Sequence, residues 1–194
     1  MLHRVLTYLA AAMALWTSTG WADEKIVAPD LAIPVYLKII TYDNSFDAKK
    51  VKTIQVFLLF DESHAKSYSQ MLEVDEYFSA NRDLQVGGVD VEFHPLQYDK
   101  LDSACRTVLP TDYAILIVSD FDGEKIKRAI PRARECGLRT FTLDPDLIPL
   151  GFAVSVKPDK KKNAIVINLE QARREGSQFG AHLLRMCEIY EGTP

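Results

Sequence analysis

Apolar residues recur along the chain with two different spacings, and the changes between them mark out the elements. From Pro29 to Tyr42 the residues Leu31, Ile33, Val35, Leu37, Ile39 and Ile40 lie close together, with Pro34 near the start where a helix tolerates it. The segment predicts a short helix, with a strand as the alternative, and Asp43-Asn44-Ser45 breaks it. Thr53 to Phe60 is rich in β-branched and aromatic residues and suits a strand buried on both faces, hence a central parallel one. Ser63 can cap the helix that follows, and Tyr68, Met71, Leu72 and Phe78 recur at helical spacing as its core stripe.

Gly87-Gly88 punctuates the chain before Val89 to Phe93, where strict alternation predicts a strand with one solvated face. A short helix fits Gln97 to Cys105, and Tyr113 to Val118 is a second fully apolar strand. Ile126, Ala129, Ile130 and Ala133 give the next helix one buried stripe, with Pro131 expected to kink it and Gly137 to end it in a left-handed conformation. Leu138 to Leu143 makes another strand. The middle of the chain is thus a β-α-β-α-β alternation, which implies parallel strands joined by right-handed crossovers. Phe152 to Val156 and Ala164 to Asn168 flank a turn through Pro158 and Asn163 and read as an antiparallel hairpin. A final helix from Gln178 places Phe179, Leu183, Met186, Cys187 and Tyr190 on one face. With no internal repeat or linker, the expected fold class is α/β. Residues 28–194 form one domain with a central, mostly parallel sheet, flanking helices and a C-terminal β-hairpin plus helix.

The first 22 residues follow another logic. Arg4 is followed by an apolar run from Val5 to Trp16, roughly a dozen residues and too short to span a bilayer. Gly20 and Ala22 supply the small residues signal peptidase requires, so cleavage is expected between Ala22 and Asp23. Both tryptophans, Trp16 and Trp21, leave with the signal peptide. The product is expected to be periplasmic, in an oxidising compartment.

Composition narrows the function. The 194 residues are 47% hydrophobic and 26% charged with a net charge of −4, which fits a globular domain with a sizeable core. Basic residues cluster only at Lys160-Lys161-Lys162 and on the helix bearing Lys125, Lys127, Arg128, Arg132 and Arg134, so nucleic acid is not an expected partner. Asp120 and Asp122 have a spacing that can hold Mg²⁺ or Ca²⁺, with a helix cap at Asp122 as the blander reading, and Asp144-Pro145-Asp146 reads as a turn. His64, His94 and His182 lack metal-ligand spacing, and no nucleophile elbow, P-loop, dinucleotide fingerprint or Cys-x-x-Cys occurs. No enzymatic activity, metal or cofactor is expected. Of the three pairings open to Cys105, Cys136 and Cys187, the first with the second is favoured, because Cys105 lies just before the strand that feeds the helix ending at Cys136; three free thiols is the alternative.

The segment from Ala164 to Gly176, with Asn168, Ala172 and Gly176, followed by Leu183-Leu184-Arg185-Met186, resembles the closing signature of the YfiR family, the DUF4154 domain. In that family a strand ending in Ile-Asn leads into a helix with Ala and Gly, then a final helix with paired leucines. Tyr42-Asp43 stands where the family commonly has Trp-Pro, and Phe60 where a glycine is usual. The resemblance implies an exported, non-enzymatic α/β protein, often dimeric, that restrains the periplasmic sensor region of an inner-membrane diguanylate cyclase or accompanies a sensor kinase. The expected partner is therefore a membrane-bound signalling protein, with homodimerisation possible. Tyr36 and Ile40 on the first helix are the candidate contact surface, against a plain core role. The alternative function is a periplasmic small-molecule binder using the carboxyl ends of its parallel strands near Ser119 and Asp144.

Overall fold

Pro29 sits in the first turn of the first helix, where its missing N–H costs nothing, and α1 runs Pro29–Ile40, so the helical reading of this segment holds. The computed structural model describes residues 26–120, 122–159 and 163–192. The signal-peptide reading, with its cleavage site at Ala22 and Asp23, lies outside them. No helix among the described residues is long and apolar enough to cross a membrane.

After α1 come β1 (Thr53–Phe60), α2 (Ala65–Ala80), β2 (Gln85–Val86), β3 (Val89–Gln97), a 3₁₀ turn (Tyr98–Lys100) and α3 (Leu101–Thr107). There follow β4 (Tyr113–Val118), α4 (Gly123–Glu135), β5 (Arg139–Thr142), a 3₁₀ segment (Pro145–Leu150), β6 (Val154–Lys157) and β7 (Ala164–Asn168). The chain closes with α5 (Leu169–Arg174), α6 (Ala181–Leu184) and β8 (Glu188–Tyr190). The strands form one sheet in the order β2-β3-β1-β4-β5-β6-β7-β8. From β3 through β6 all pairings are parallel, whereas β6 and β7 form the antiparallel hairpin. The five parallel strands thus lie second-first-third-fourth-fifth in chain order, the doubly wound arrangement.

Alternate residues of the central strands feed two separate cores. Ile54, Val56, Leu58, Ile115 and Ile117 point to a layer completed by α1 and α2. Phe57, Leu59, Leu116 and Val118 point the other way, beneath Leu101 and Ala104 of α3 and Ile126, Ala129, Ile130 and Ala133 of α4. A sheet covered on both faces needs continuous apolar strands, and this is why β1 and β4 do not alternate.

The structure corrects four sequence readings. Tyr36 and Ile40 are wholly buried and form no contact surface: the Tyr36 hydroxyl donates to the Thr142 carbonyl at 2.6 Å, and its ring meets Phe141 edge-on. In α2, Tyr68 and Leu72 face solvent, and the buried stripe is Ser67, Gln70, Met71, Val74 and Phe78. The helix is capped by the His64 ring accepting from the Ser67 N–H, while Ser63 donates to Asp61. The final helix is a single turn, α6, and the chain then returns to the sheet: Ile189 and Tyr190 pack on opposite faces, the period-two signature of β8.

Cys105 of α3 and Cys136, just past α4, are bonded with their Cα atoms 4.8 Å apart, and Gly137 follows at φ +72°. Cys187 is free and half-buried, its thiol pushed up to about 11 by burial. The disulfide spans 31 residues and pins two helices that share the second core. Its reduction, or Cys105→Ser with Cys136→Ser, is expected to lower unfolding free energy by about 3 kcal/mol by restoring loop freedom to the unfolded chain. Urea unfolding with and without reductant reads this directly, and an unchanged midpoint would refute it.

Candidate functional site

The β1 chain leaves the sheet at Phe60 and turns through Asp61-Glu62-Ser63 into α2, on one face. Its neighbour β4 leaves at Val118 and passes through Ser119 and Asp120 to α4, on the other face. Because the two exits diverge, a crevice opens between them at the strand carboxyl ends, where doubly wound sheets place ligands. Ser119 and Asp144, the sequence candidates for a binding rim, stand at the ends of β4 and β5.

A buried polar lattice holds the two loops. The Ser119 hydroxyl donates to the Leu59 carbonyl at 2.9 Å and lies 2.5 Å from the Ser67 hydroxyl, which accepts from the Asp61 N–H. The Gln70 side-chain carbonyl accepts from the Asp120 N–H at 2.8 Å. This is why two polar residues of α2 are buried: their partners belong to the loop after β4. Hydrophobic periodicity carries no signal for Ser67 or Gln70.

Above the lattice the loops are joined by reciprocal ion pairs. Lys66, from the helix after β1, pairs with Asp120 after β4 at 2.7 Å, and Lys125, from the helix after β4, pairs with Asp61 after β1. Hydrogen bonds from Lys125 and then Ser63 draw the Asp61 carboxyl down to about 2, and the Asp61 partner raises the Lys125 ammonium above its usual value. The Lys125 ammonium also lies 5.5 Å over the Tyr98 ring. Burial raises the Asp144 carboxyl above the usual range, and the charges of Asp146 and Asp120 add to that rise.

A cleft of about 380 Å³ adjoins this crevice, lined by Phe60, Asp61, Glu62, Ser63, Gln97, Tyr98, Asp99 and Lys125. A cleft of about 450 Å³ between α1 and α2 is larger but lies away from the strand ends. The paired aspartates proposed for a metal serve other tasks: Asp122 caps α4 by accepting from the Glu124 and Lys125 N–H groups, and Asp120 holds Lys66. Asp144 likewise caps the 3₁₀ segment through the Asp146 N–H.

The residues of the family-like segment lie at the opposite end of the sheet. Asn168 caps α5 by accepting from the Gln171 N–H, Ala172 and Leu183 are buried, Leu184 is half-buried, and Gly176 takes φ +85°. These are turn and core positions, remote from the crevice.

No family model and no curated protein matches this sequence. Among the solved structures that share its fold are three with 10–13% sequence identity. The ABC domain in complex with L-Trp from Streptococcus pneumonia has a TM-score of 0.55 at 13% identity, over 84% of this chain and 62% of that one. A conserved domain protein from Vibrio cholerae gives 0.56 at 12%, over 82% and 58%. The ligand-free, open structure of a substrate binding protein with adhesive properties from Clostridium difficile gives 0.57 at 10%, over 87% and 61%. The chain spans about three-fifths of the length of each of these neighbours. At such identities the likeness is one of fold: a mixed α/β domain around a mostly parallel sheet, similar to that of a substrate-binding protein.

Proposed function

We propose that this chain is an exported, non-enzymatic binding module that sets its strand-end crevice against the extracytoplasmic domain of a membrane signalling protein and restrains it. The observation that carries this reading is the cross-latched crevice. Its two loops are held rigidly by the Ser67–Ser119–Gln70 lattice, yet their outer ion pairs reach solvent, with Lys66 54% and Lys125 40% exposed. A small solute site usually encloses most of its ligand, whereas this crevice is open to solvent. A second surface completes it, and the exposed ion pairs can be exchanged for charges on that surface. The Cys105–Cys136 bond suits an oxidising compartment. The likeness of Asn168, Ala172, Gly176, Leu183 and Leu184 to the YfiR family makes a diguanylate cyclase or a sensor kinase the kind of partner to test first, with a homodimer as the state to check. The alternative, a solute binder, is favoured by the cleft beside Asp61 and by the substrate-binding fold.

Photo-crosslinking in intact envelopes tests the choice. A crosslinking residue at Ser63, on the crevice, is expected to give an adduct with an integral membrane protein bearing an extracytoplasmic domain, and the double reversal Asp61→Lys with Asp120→Lys is expected to abolish it. The same probe at Glu170, at the far end of the sheet, is expected to give none. Equal labelling from both positions would overturn the docking surface. No adduct from Ser63, together with a melting shift on addition of one metabolite, would establish the solute-binding reading instead.

A further inference from the structure

Charge around the crevice is lopsided. Asp61 and Glu62 follow β1, Asp99 follows β3, Asp120 follows β4 and Asp144 follows β5, against Lys66, Lys100 and Lys125. Field lines from such a rim are focused between low-dielectric walls and favour a cation over an anion.

The cleft beside Asp61 adds shape and chemistry to that bias. Its walls include the rings of Phe60 and Tyr98, and the Asp61 side chain is only 12% exposed. The chain itself displays what this combination holds. The Lys125 ammonium is hydrogen-bonded by the Asp61 carboxylate and sits over the Tyr98 ring, so one alkylammonium group already lines the cleft. A charge-assisted hydrogen bond and a cation–π contact are together the recognition chemistry of an amine. Lys125 reaches in on a flexible stem from α4 and is 40% exposed, so it can leave for solvent. Also on the cleft, Glu62 accepts from the Gln97 amide and Asp99 is exposed, leaving carboxylate oxygens for a second positive group.

We infer that the cleft binds a small organic dication with a primary ammonium at one end. Its ammonium takes over the Asp61 carboxylate and the Tyr98 ring from Lys125, and its second charge faces Glu62 and Asp99. Lys125 is then an internal competitor, the chain's own plug for the site. This goes beyond the docking reading and is tested without a partner, so either can fail alone.

Calorimetric titration of the purified full chain with putrescine, with succinate as an anion of similar length, is the test. Putrescine is expected to bind saturably and succinate not at all. Removing the plug with Lys125→Gln is expected to tighten putrescine about tenfold, and Asp61→Asn or Tyr98→Ala to weaken it by about tenfold or more. The gain is the decisive reading, because a variant that folds poorly cannot bind more tightly. Absence of saturable binding to both the native chain and Lys125→Gln would overturn the inference. So would equal affinities across all four proteins, which would mean general attraction to an acidic surface.

Discussion

Glu175→Ala is expected to cost about 4 kcal/mol of unfolding free energy, because it strands three buried donors at once. The Glu175 carboxylate is 8% exposed and accepts from the Thr140 N–H at 2.7 Å, the Thr140 hydroxyl at 2.6 Å and the Gln171 side-chain amide at 2.7 Å. It serves as the acceptor for the Thr140 N–H, at the start of β5, a place no neighbouring strand fills. Gln171 in turn accepts from Arg134, so the carboxylate ties α5 to β5 and α4. Burial pushes the Glu175 carboxyl up to about 7, against the hydrogen bonds from Thr140 and Gln171 and the Arg134 charge. A raised carboxyl contributes stability that is fully present below its unfolded value near 4.5 and is lost as pH rises through 7. Over that interval the native chain should lose about 3 kcal/mol relative to Glu175→Gln, whose amide copies the protonated acid. Urea unfolding of both proteins between those limits reads the difference. Parallel pH profiles would show that Glu175 is already charged throughout.

The central strands and the two ends of α4 followed from the residues themselves, because their causes are local or apolar. Thr53–Phe60 and Tyr113–Val118 have nothing but a two-sided core to satisfy, and they form it. Asp122 and Gly137 delimit α4 as a carboxylate before a helix and a glycine after one must. What escaped the sequence was polar burial. Ser67 and Gln70 look like solvent positions until the β4 loop arrives to bond them, and counting the apolar period instead selected Tyr68 and Leu72, which are exposed. The crevice is visible in the sequence only as acids following apolar strands; that Lys66 and Lys125 cross over to each other's loop depends on β1 and β4 being neighbours, a fact of topology. At the C-terminus, apolar residues near Leu183 fit a helical face, but Gly180 opens a helix of one turn and Glu188-Ile189-Tyr190 completes the sheet. Glu175 gave no signal either, since a glutamate near a helix end is ordinarily solvated.

Asp43 is the counterpart of Glu175 on the acid side, and Asp43→Ala is expected to cost about 4 kcal/mol as well, since removing one member of a buried pair leaves the other uncompensated. The Asp43 side chain is fully buried. One carboxylate oxygen accepts from the Ser45 and Gln178 N–H groups at 2.8 Å each, and the other accepts from the Tyr113 hydroxyl at 2.7 Å. The Arg139 Nε lies 3.7 Å away, and its guanidinium covers the Tyr113 ring at 3.9 Å. A residue that reads in sequence as a helix breaker thus anchors the C-terminal segment to β4 and β5. Burial alone would raise its carboxyl, but the hydrogen bonds from Gln178, Tyr113 and Ser45 outweigh it and hold the group below the usual carboxylate range. The sign is therefore opposite to that of Glu175: this stability is present above the unfolded value near 3.8 and is lost as pH falls through the depressed folded value. Asp43→Asn keeps one acceptor, so it should cost less than alanine and should abolish the acid-side loss. The native chain should then be most stable near the two unfolded values, losing Asp43 below them and Glu175 above. If Asp43→Asn kept the native acid limb while Glu175→Gln flattened the neutral one, the acid sensitivity would belong to another carboxylate, and Arg139 would be held by Tyr113 and Ser45 rather than by Asp43.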